Sequence, residues 1–291
     1  MPGLRAPTMP EGTPVELVRS LEATAREIRR EVIRMTYAAQ SGHPGGSLSV
    51  TDLVTALLFH ELKIDPARVD WPDRDRLVLS KGHASPALYA ALALRGFLPR
   101  EELASFRQFG SRLQGHVDRV KLPCIEASTG CLGQGIGMAV GMALDARLRK
   151  ASYRTYAIIG DGECQAGPTW EALMAGGHYR LSNLVVILDR NGLETDGPTE
   201  SIMGIEPIAE KFRAFRYHTV EIDGHDFPQI LGALAEARRT TDGPTAIVAR
   251  TVKGKGVSFM EGKHQYHGKP PNTAEAERAL AELARPSEAR P

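Results

Sequence analysis

Tyr156-Ala157-Ile158-Ile159-Gly160-Asp161-Gly162, followed by Leu184-Val185-Val186-Ile187-Leu188 and Asp189-Arg190-Asn191-Gly192, decides how this sequence is read. Each apolar, β-branched run has the pattern of a strand buried on both faces. The first ends at Gly160, where the backbone can turn without a Cβ clash. Residues from about Thr169 to Arg180 suit a helix. Strand, helix and strand in that order make a parallel pair whose C-terminal mouths lie on one side of the sheet. Asp161 and Asn191 can then converge on one ion, although about thirty residues separate them. Hard oxygen donors suit Mg²⁺ or Ca²⁺. Mg²⁺ takes few protein oxygens and completes its octahedron with water and phosphate, so the pair implies a phosphate-bearing ligand. Taken singly, Asp161 reads equally as a helix cap and Asn191 as a turn residue.

Working outward, the alternation of strands and helices continues. A strand is expected at Leu77-Val78-Leu79-Ser80, ending at Lys81-Gly82-His83-Ala84, with a helix from near Ser85-Pro86. Further strands are expected over 218–222 and 245–249, on either side of a helix over 227–238. The result is an α/β fold, a mostly parallel sheet with helices on both faces. Leu17, Leu21, Ala25, Ile28, Val32 and Met35 recur at helical spacing, which predicts a long amphipathic helix from Pro14. It stops near Ser41-Gly42-His43-Pro44-Gly45-Gly46, read as a loop that can approach a ligand closely, with a second helix from about Val50 to Glu61. Gly137, Ala139, Gly141 and Ala143 in an Ala/Gly/Met helix ending at Lys150 predict close helix packing. Lys253-Gly254-Lys255-Gly256 reads as a solvated basic run. The expected organisation is a loose arm over 1–13, a ligand-binding domain over 14–272, and a charged helix with tail over 273–291.

Composition narrows the function. The 291 residues are 42% apolar and 24% charged, enough for a substantial core, and 36 basic against 35 acidic residues leave a net charge of +1. That balance gives no electrostatic argument for nucleic acid or an anionic membrane surface, and neither is expected as a partner. Three cysteines without C-x-x-C or Cys/His spacing suggest neither a disulfide framework nor zinc, and fit a reducing cytoplasm. No signal peptide or apolar run of membrane-spanning length is present.

Gly160-Asp161-Gly162 followed about thirty residues later by Asn191 resembles the thiamine diphosphate motif shared by transketolases, 1-deoxyxylulose-5-phosphate synthases and the α subunits of 2-oxo-acid dehydrogenases. The 41–49 loop, Gly82-His83-Ala84, Gln114-Gly115-His116, the 129–135 loop and Tyr266-His267-Gly268 resemble transketolase in the same order, over roughly residues 15–270. The resemblance implies that Asp161, the Asn191 side chain and the Leu193 carbonyl ligate Mg²⁺. It places Gly160, Asp161, Gly162, Glu163 and Asn191 in the cofactor motif. His83 and His267 would reach the diphosphate, and the Gly130 and Leu132 backbones would lie beside the cofactor rings. His43, His116 and His267 would act on the sugar. The implied activity is transfer of a two-carbon ketol unit from a ketose phosphate to an aldose phosphate.

The resemblance also implies a missing part. A full transketolase continues into a domain carrying the glutamate that activates the aminopyrimidine, and no candidate for it stands in this chain. The expectation is therefore the N-terminal subunit of a split transketolase, working with a separate C-terminal subunit in an α₂β₂ heterotetramer. One position departs from the pattern: Ala166 stands where transketolases carry a glutamate that pairs with the activating glutamate of another chain, and Ala-Gly there is similar to 1-deoxyxylulose-5-phosphate synthase. This keeps two alternatives open, transfer to a non-sugar acceptor such as a lipoyl or acyl-carrier protein, and a non-catalytic scaffold. The four histidines and the Asp161/Asn191 pair count against a scaffold, which needs none of them.

Overall fold

The computed structural model describes residues 7–284. Its frame is a five-stranded sheet in which every pairing is parallel, as the buried apolar runs require. The strands are β1 (Arg76–Leu79), β2 (Thr155–Gly160), β3 (Leu184–Arg190), β4 (His218–Asp223) and β5 (Thr245–Arg250), in the order β1-β2-β3-β5-β4. Successive side chains of a strand point to opposite faces. Tyr156, Ile158, Val185 and Ile187 join one core, while Ala157, Ile159, Val186 and Leu188 join the other.

The first core is covered by α1 (Val15–Ala39), α2 (Pro44–Ala56) and α3 (Ser85–Arg95), the second by α4 (Gln134–Arg149) and α5 (Gly167–His178). Two short helices follow β3, α6 (Thr199–Ile202) and α7 (Ile208–Ala214). Helix α8 (Phe227–Arg239) and the terminal helix α9 (Thr273–Ala284) belong to the first layer. In α1, Leu21, Ala25, Ile28, Val32 and Met35 are buried along one stripe. Each of the larger side chains among them contributes about 1.5–3 kcal/mol when fully buried, and Ala25 about 0.8 kcal/mol. Helix α9 packs on α1 and places Ala276, Ala279 and Leu283 in the same core. Within the expected N-terminal arm, Thr8 lies over Gly232 of α8, while residues 1–6 and the tail 285–291 are outside the described residues.

Three local expectations are corrected. Helix α2 begins at Pro44, not Val50, because a proline at the first position has its φ preset for a helix and loses no needed N–H. Its next residues approach other backbone closely: a Cβ on Gly45 would lie 2.8 Å from the Tyr266 carbonyl oxygen. In α4, Ala139 and Ala143 are buried as expected, but Gly137 and Gly141 face away, with nothing within 4 Å of a Cβ at either. Gly160 ends β2 without a left-handed turn; the glycine with that geometry is Gly192, at φ 78° after β3.

Candidate active site

The register that pairs Gly160 with Asp189 puts the next residues, Asp161 and Arg190, side by side at the sheet's C-terminal edge. There the turn after β3 folds back: Gly192 N–H donates to Asp161 Oδ2 at 2.5 Å, and Arg190 Nη1 donates to the same oxygen at 3.2 Å. Asp161 Oδ1 accepts from Gly162 N–H, so this carboxylate caps the next turn and also meets the second mouth. Burial raises the Asp161 carboxyl above its ordinary range, the nearby Asp189 charge adds to this, and Arg190 opposes it. Asn191 Oδ1 accepts from Leu193 N–H, and the Leu193 carbonyl accepts from Lys253 Nζ at 3.1 Å.

Behind this edge lies a second charge centre. Asp189 is fully buried in β3 and takes hydrogen bonds from Lys81 Nζ, Ser49 Oγ and Thr251 Oγ1. Burial alone would raise its carboxyl; Lys81 and the three hydrogen bonds hold it below the ordinary value. Lys81 also donates to the Gly46 carbonyl, which ties β1 to the first turn of α2. Glu163 is buried, with its carboxylate accepting from Ser80 Oγ, Gly133 N–H and Gly160 N–H. It thereby fastens the 129–135 loop to the strand ends.

Four imidazoles face one another beside these carboxylates. Ring centroids of His43 lie 5.2 Å from His83, 5.7 Å from His116 and 5.5 Å from His267, and His83 lies 5.0 Å from His267. Burial lowers each of them: His43 to about 4, His267 to about 3, His83 well below the ordinary value, and His116 in the same direction. Near neutrality all four are uncharged. Lys253 Nζ lies 2.9 Å from His267 Nδ1, so Nδ1 is the acceptor and the proton sits on Nε2. Nδ1 of His43 is buried without a protein partner.

A crevice of about 100 Å³ runs between the two groups. Of the residues expected at a site, it is lined by His83, Leu132, Gly160, Asp161, Gly162, Glu163, Asn191, Leu193 and His267. His43 borders it through its ring contacts with His83 and His267, while His116 stands one ring further out, against His43, with Gly130 under it. Lys253 corrects the expectation of a solvated run. It is 2% exposed, because the turn folds inward and its ammonium finds the Leu193 and Glu194 carbonyls and His267. Lys81, Asp189 and Arg190 are site residues that sequence reasoning misses. A lysine directly after an apolar strand, and an Asp-Arg pair just before the key asparagine, are the available signals.

The donor set fits a diphosphate with a hard cation. Two ammonium groups line one crevice with a carboxylate, a side-chain amide and backbone carbonyls, and the buried Glu194 Oε1 in its wall has no protein partner. Among the described residues no three His, Cys, Asp or Glu side chains cluster as a complete protein-only metal site.

Fold and crevice define an open parallel α/β protein with a polar crevice at the C-terminal ends of its strands. Comparison with known proteins narrows the class. Residues 21–285 match the family model for the transketolase thiamine diphosphate binding domain. The chain is 43% identical over 263 residues to the 6-deoxy-6-sulfo-D-fructose transketolase subunit of Clostridium sp. (strain MSTE9), covering 90% of this chain and 96% of that protein. It is 39% identical over 267 residues to an apulose-4-phosphate transketolase subunit from Phocaeicola vulgatus, covering 92% and 95%. The structure of transketolase from Leishmania mexicana superposes with a TM-score of 0.87 at 35% identity, covering 91% of this chain and 41% of that one. The chain thus spans about two fifths of such full-length transketolases and nearly all of the two subunits. It belongs to the transketolase family and carries its thiamine diphosphate-binding domain.

Among the described residues no helix is long and apolar enough to cross a membrane.

Proposed function

We propose that the chain is the thiamine diphosphate-binding subunit of a two-component transketolase, moving a two-carbon ketol unit from a ketose phosphate to an aldose phosphate. The observation that carries this reading is the ring of four neutral imidazoles beside the Asp161/Asn191 crevice. In it, Asp161, Asn191 Oδ1 and the Leu193 carbonyl hold Mg²⁺ or Ca²⁺, while His83, His267 and the Lys253 ammonium hold the diphosphate. Gly160, Gly162 and Glu163 shape the cofactor turn, and the Gly130 and Leu132 backbones border its rings.

When bound, thiamine diphosphate supplies the carbanion stabilisation that cleavage beside a ketone needs. The chain's own groups orient the sugar and handle its protons. His267 presents Nε2–H, fixed by Lys253 on the other nitrogen, as a donor to a sugar oxygen. His43 is a neutral imidazole of low basicity beside the crevice, suited to take a hydroxyl proton and return it readily. His116 completes the hydroxyl-binding side.

The missing elements are assigned to a separate C-terminal subunit that contributes the activating glutamate, in an α₂β₂ heterotetramer. Similarity to two proteins named as transketolase subunits supports such a partner. Three free cysteines support a cytoplasmic setting. The names of those relatives, one a sulfo-sugar and the other a sugar phosphate, leave the donor open to more than one anionic ketose. Ala166 favours a second reading. It starts α5 with no side chain to cap the helix or to pair with a partner carboxylate, which leaves room for a specialised acceptor such as a lipoyl or acyl-carrier protein.

The test is triose-phosphate release from xylulose 5-phosphate with cofactor and Mg²⁺, with and without the co-expressed C-terminal subunit. Release that requires the partner and rises with ribose 5-phosphate supports the reading. Release indifferent to any aldose favours the second acceptor class. Absence of release with every ketose phosphate tried, under conditions where the cofactor binds, would refute the sugar-transfer reading.

A further inference from the structure

Val252, the residue before Lys253, donates its N–H to the ring of His225, whose Nε2 lies 2.8 Å away. A backbone N–H can only donate, so Nε2 carries the lone pair and the ring proton stands on Nδ1. That proton meets Asp52 of α2, whose Oδ2 lies 2.7 Å from Nδ1. Asp52 is held in turn by both arms of Arg29 from α1, Nη1 to Oδ1 at 2.9 Å and Nη2 to Oδ2 at 2.6 Å. Burial alone would raise the Asp52 carboxyl, but Arg29 and the His225 hydrogen bond hold it down to about 2, so it is a charged acceptor near neutrality. One line of hydrogen bonds thus runs from α1 through α2 and the turn after β4 to the backbone beside Lys253.

The two segments that meet here are closely fitted. Gly224 N–H donates to the Arg250 carbonyl at 2.7 Å, and a Cβ on Gly224 would lie 2.5 Å from Thr251 Cγ2. His225 N–H donates to Asp223 Oδ1, and Asp226 caps α8 by accepting from Gln229 N–H, so the backbone on both sides of the ring is fixed. On the facing segment, Thr251 N–H goes to the Arg190 carbonyl and Gly254 N–H to the Gly45 carbonyl, each at 3.0 Å. The Val252 amide between them is met by a side chain instead. Further along, Gly256 passes over Arg29, with a Cβ there 3.2 Å from Cδ. The side chains of Arg29, Asp52 and His225 are 8%, 5% and 10% exposed, and none of the three lines the crevice. A network that touches no ligand acts on a site only through what it holds, and what it holds adjoins the Lys253 ammonium.

We infer that His225, kept in one tautomer by Asp52 and Arg29, is a positioning residue that sets the backbone of the 251–256 turn and with it the reach of Lys253 into the crevice. The inference rests on the reading of Lys253 as a diphosphate ligand and adds to it the device that aims this lysine. Lys253 Nζ has three partners to meet, the Leu193 and Glu194 carbonyls and His267 Nδ1, at 3.1, 3.2 and 2.9 Å. A peptide free to turn at Val252 swings the root of that side chain, and a shift of about 1 Å breaks contacts of this length.

The experiment separates the two ends of the imidazole. In His225→Asn an amide N–H stands where Nδ1–H stood and keeps the bond to Asp52, while the Val252 N–H loses its acceptor. In His225→Gln the longer side chain returns an oxygen to the Nε2 position and gives up the bond to Asp52. Thermal melts confirm folding. Ring-nitrogen NMR shifts of His267 in the full chain report whether Lys253 still holds Nδ1. Wild type and His225→Gln should show the Nε2–H form alone, and His225→Asn a mixture of tautomers. Calorimetry with Mg²⁺ and the C-terminal subunit should give a thiamine diphosphate affinity about tenfold weaker for His225→Asn and within about threefold of wild type for His225→Gln. Adding His225→Asn to Lys253→Met should cause no further loss, because both changes act through one ammonium. An unchanged His267 spectrum in His225→Asn, equal losses for the two variants, or a loss that persists in full beside Lys253→Met would each show a network that only stabilises the fold, and each overturns the inference. If the wild-type complex binds no thiamine diphosphate, the reading of the crevice fails, and the His267 spectra alone decide on His225. If His225→Asn does not fold, the wild-type chain decides: a coupling across Val252 N–H···Nε2 together with a single His267 tautomer supports the inference, and absence of either overturns it.

Discussion

The ammonium of Lys253 lies 2.9 Å from Nδ1 of His267, across a turn that brings both from the surface-like sequence after β5 into the crevice. Lys253 is 2% exposed and its pKa is lowered to about 8, chiefly by burial and then by Lys81, so it remains mostly charged at neutral pH. One ammonium thus fixes the tautomer of a histidine and offers charge to the same crevice.

Replacing it separates these functions from bulk. Lys253→Met keeps the length of the side chain and removes three donors. A charge-assisted hydrogen bond contributes about 1.5–3 kcal/mol, so cofactor affinity in the presence of Mg²⁺ should fall about 10- to 100-fold. Calorimetric titration of the assembled complex measures this. An unchanged affinity would take Lys253 out of diphosphate binding.

Asp189 and Lys81 make a different prediction, because both side chains of this ion pair are buried. Asp189→Asn leaves a buried ammonium without its counter-charge, a change that typically costs about 3–5 kcal/mol. Removing the charge as well, in Lys81→Met with Asp189→Asn, should recover part of that loss. Urea unfolding of the wild type and the two variants reads the difference. A double variant no more stable than Asp189→Asn alone would show that the hydrogen bonds from Ser49 and Thr251 matter more than the charge pair.

How much of the molecule is legible in its sequence follows from these two sites. Strands β2 and β3 are readable because burial on both faces leaves an unbroken apolar run, and the parallel arrangement then fixes where Asp161 and Asn191 stand. The histidines can be read from the glycines beside them and from the family resemblance. Lys253 cannot, since its meaning depends on how a turn folds back over a long separation. A lysine between glycines looks solvated until the Leu193 and Glu194 carbonyls are found around it. The onset of α2 is hidden for a related reason: Gly45 and Gly46 look like a loop, and their small size serves contacts with residues at 81, 83, 253 and 266.

Glycines in α4 and α5 supply an internal control on packing. Gly177→Ala would put a Cβ 1.8 Å from the Phe215 carbonyl oxygen, a backbone atom that cannot yield cheaply. Loss of several kcal/mol is expected, with little folded protein recovered. Gly141→Ala meets nothing within 4 Å and replaces the poorest ordinary helix former with the best, so the isolated chain should gain about 0.8–1 kcal/mol. Thermal melts of the two variants should move in opposite directions, and a destabilised Gly141→Ala chain would contradict the open face of α4.

The histidine cluster predicts how the cofactor-free chain responds to acid. His43 is lowered to about 4 and His267 to about 3, in both cases first by burial, from 6.5 in an unfolded chain. Above pH 6.5 neither state binds these protons, and the cluster carries no acid penalty. Below it the unfolded chain takes up protons that the folded chain refuses, so stability falls as pH falls, by up to about 1.4 kcal/mol per unit for each group. Partial exposure of the rings makes the real slope shallower. The decline should begin near pH 6.5 and continue until the folded-state values near 4 and 3 are reached. Urea midpoints at pH 7.5, 6.5, 5.5 and 4.5 trace it, compared between wild type and the His43→Asn, His267→Asn double variant. The variant should hold its midpoint better than wild type between pH 6.5 and 4.5. Parallel curves would mean that other groups govern acid sensitivity and that these imidazoles are protonated in the folded chain as readily as in the unfolded one.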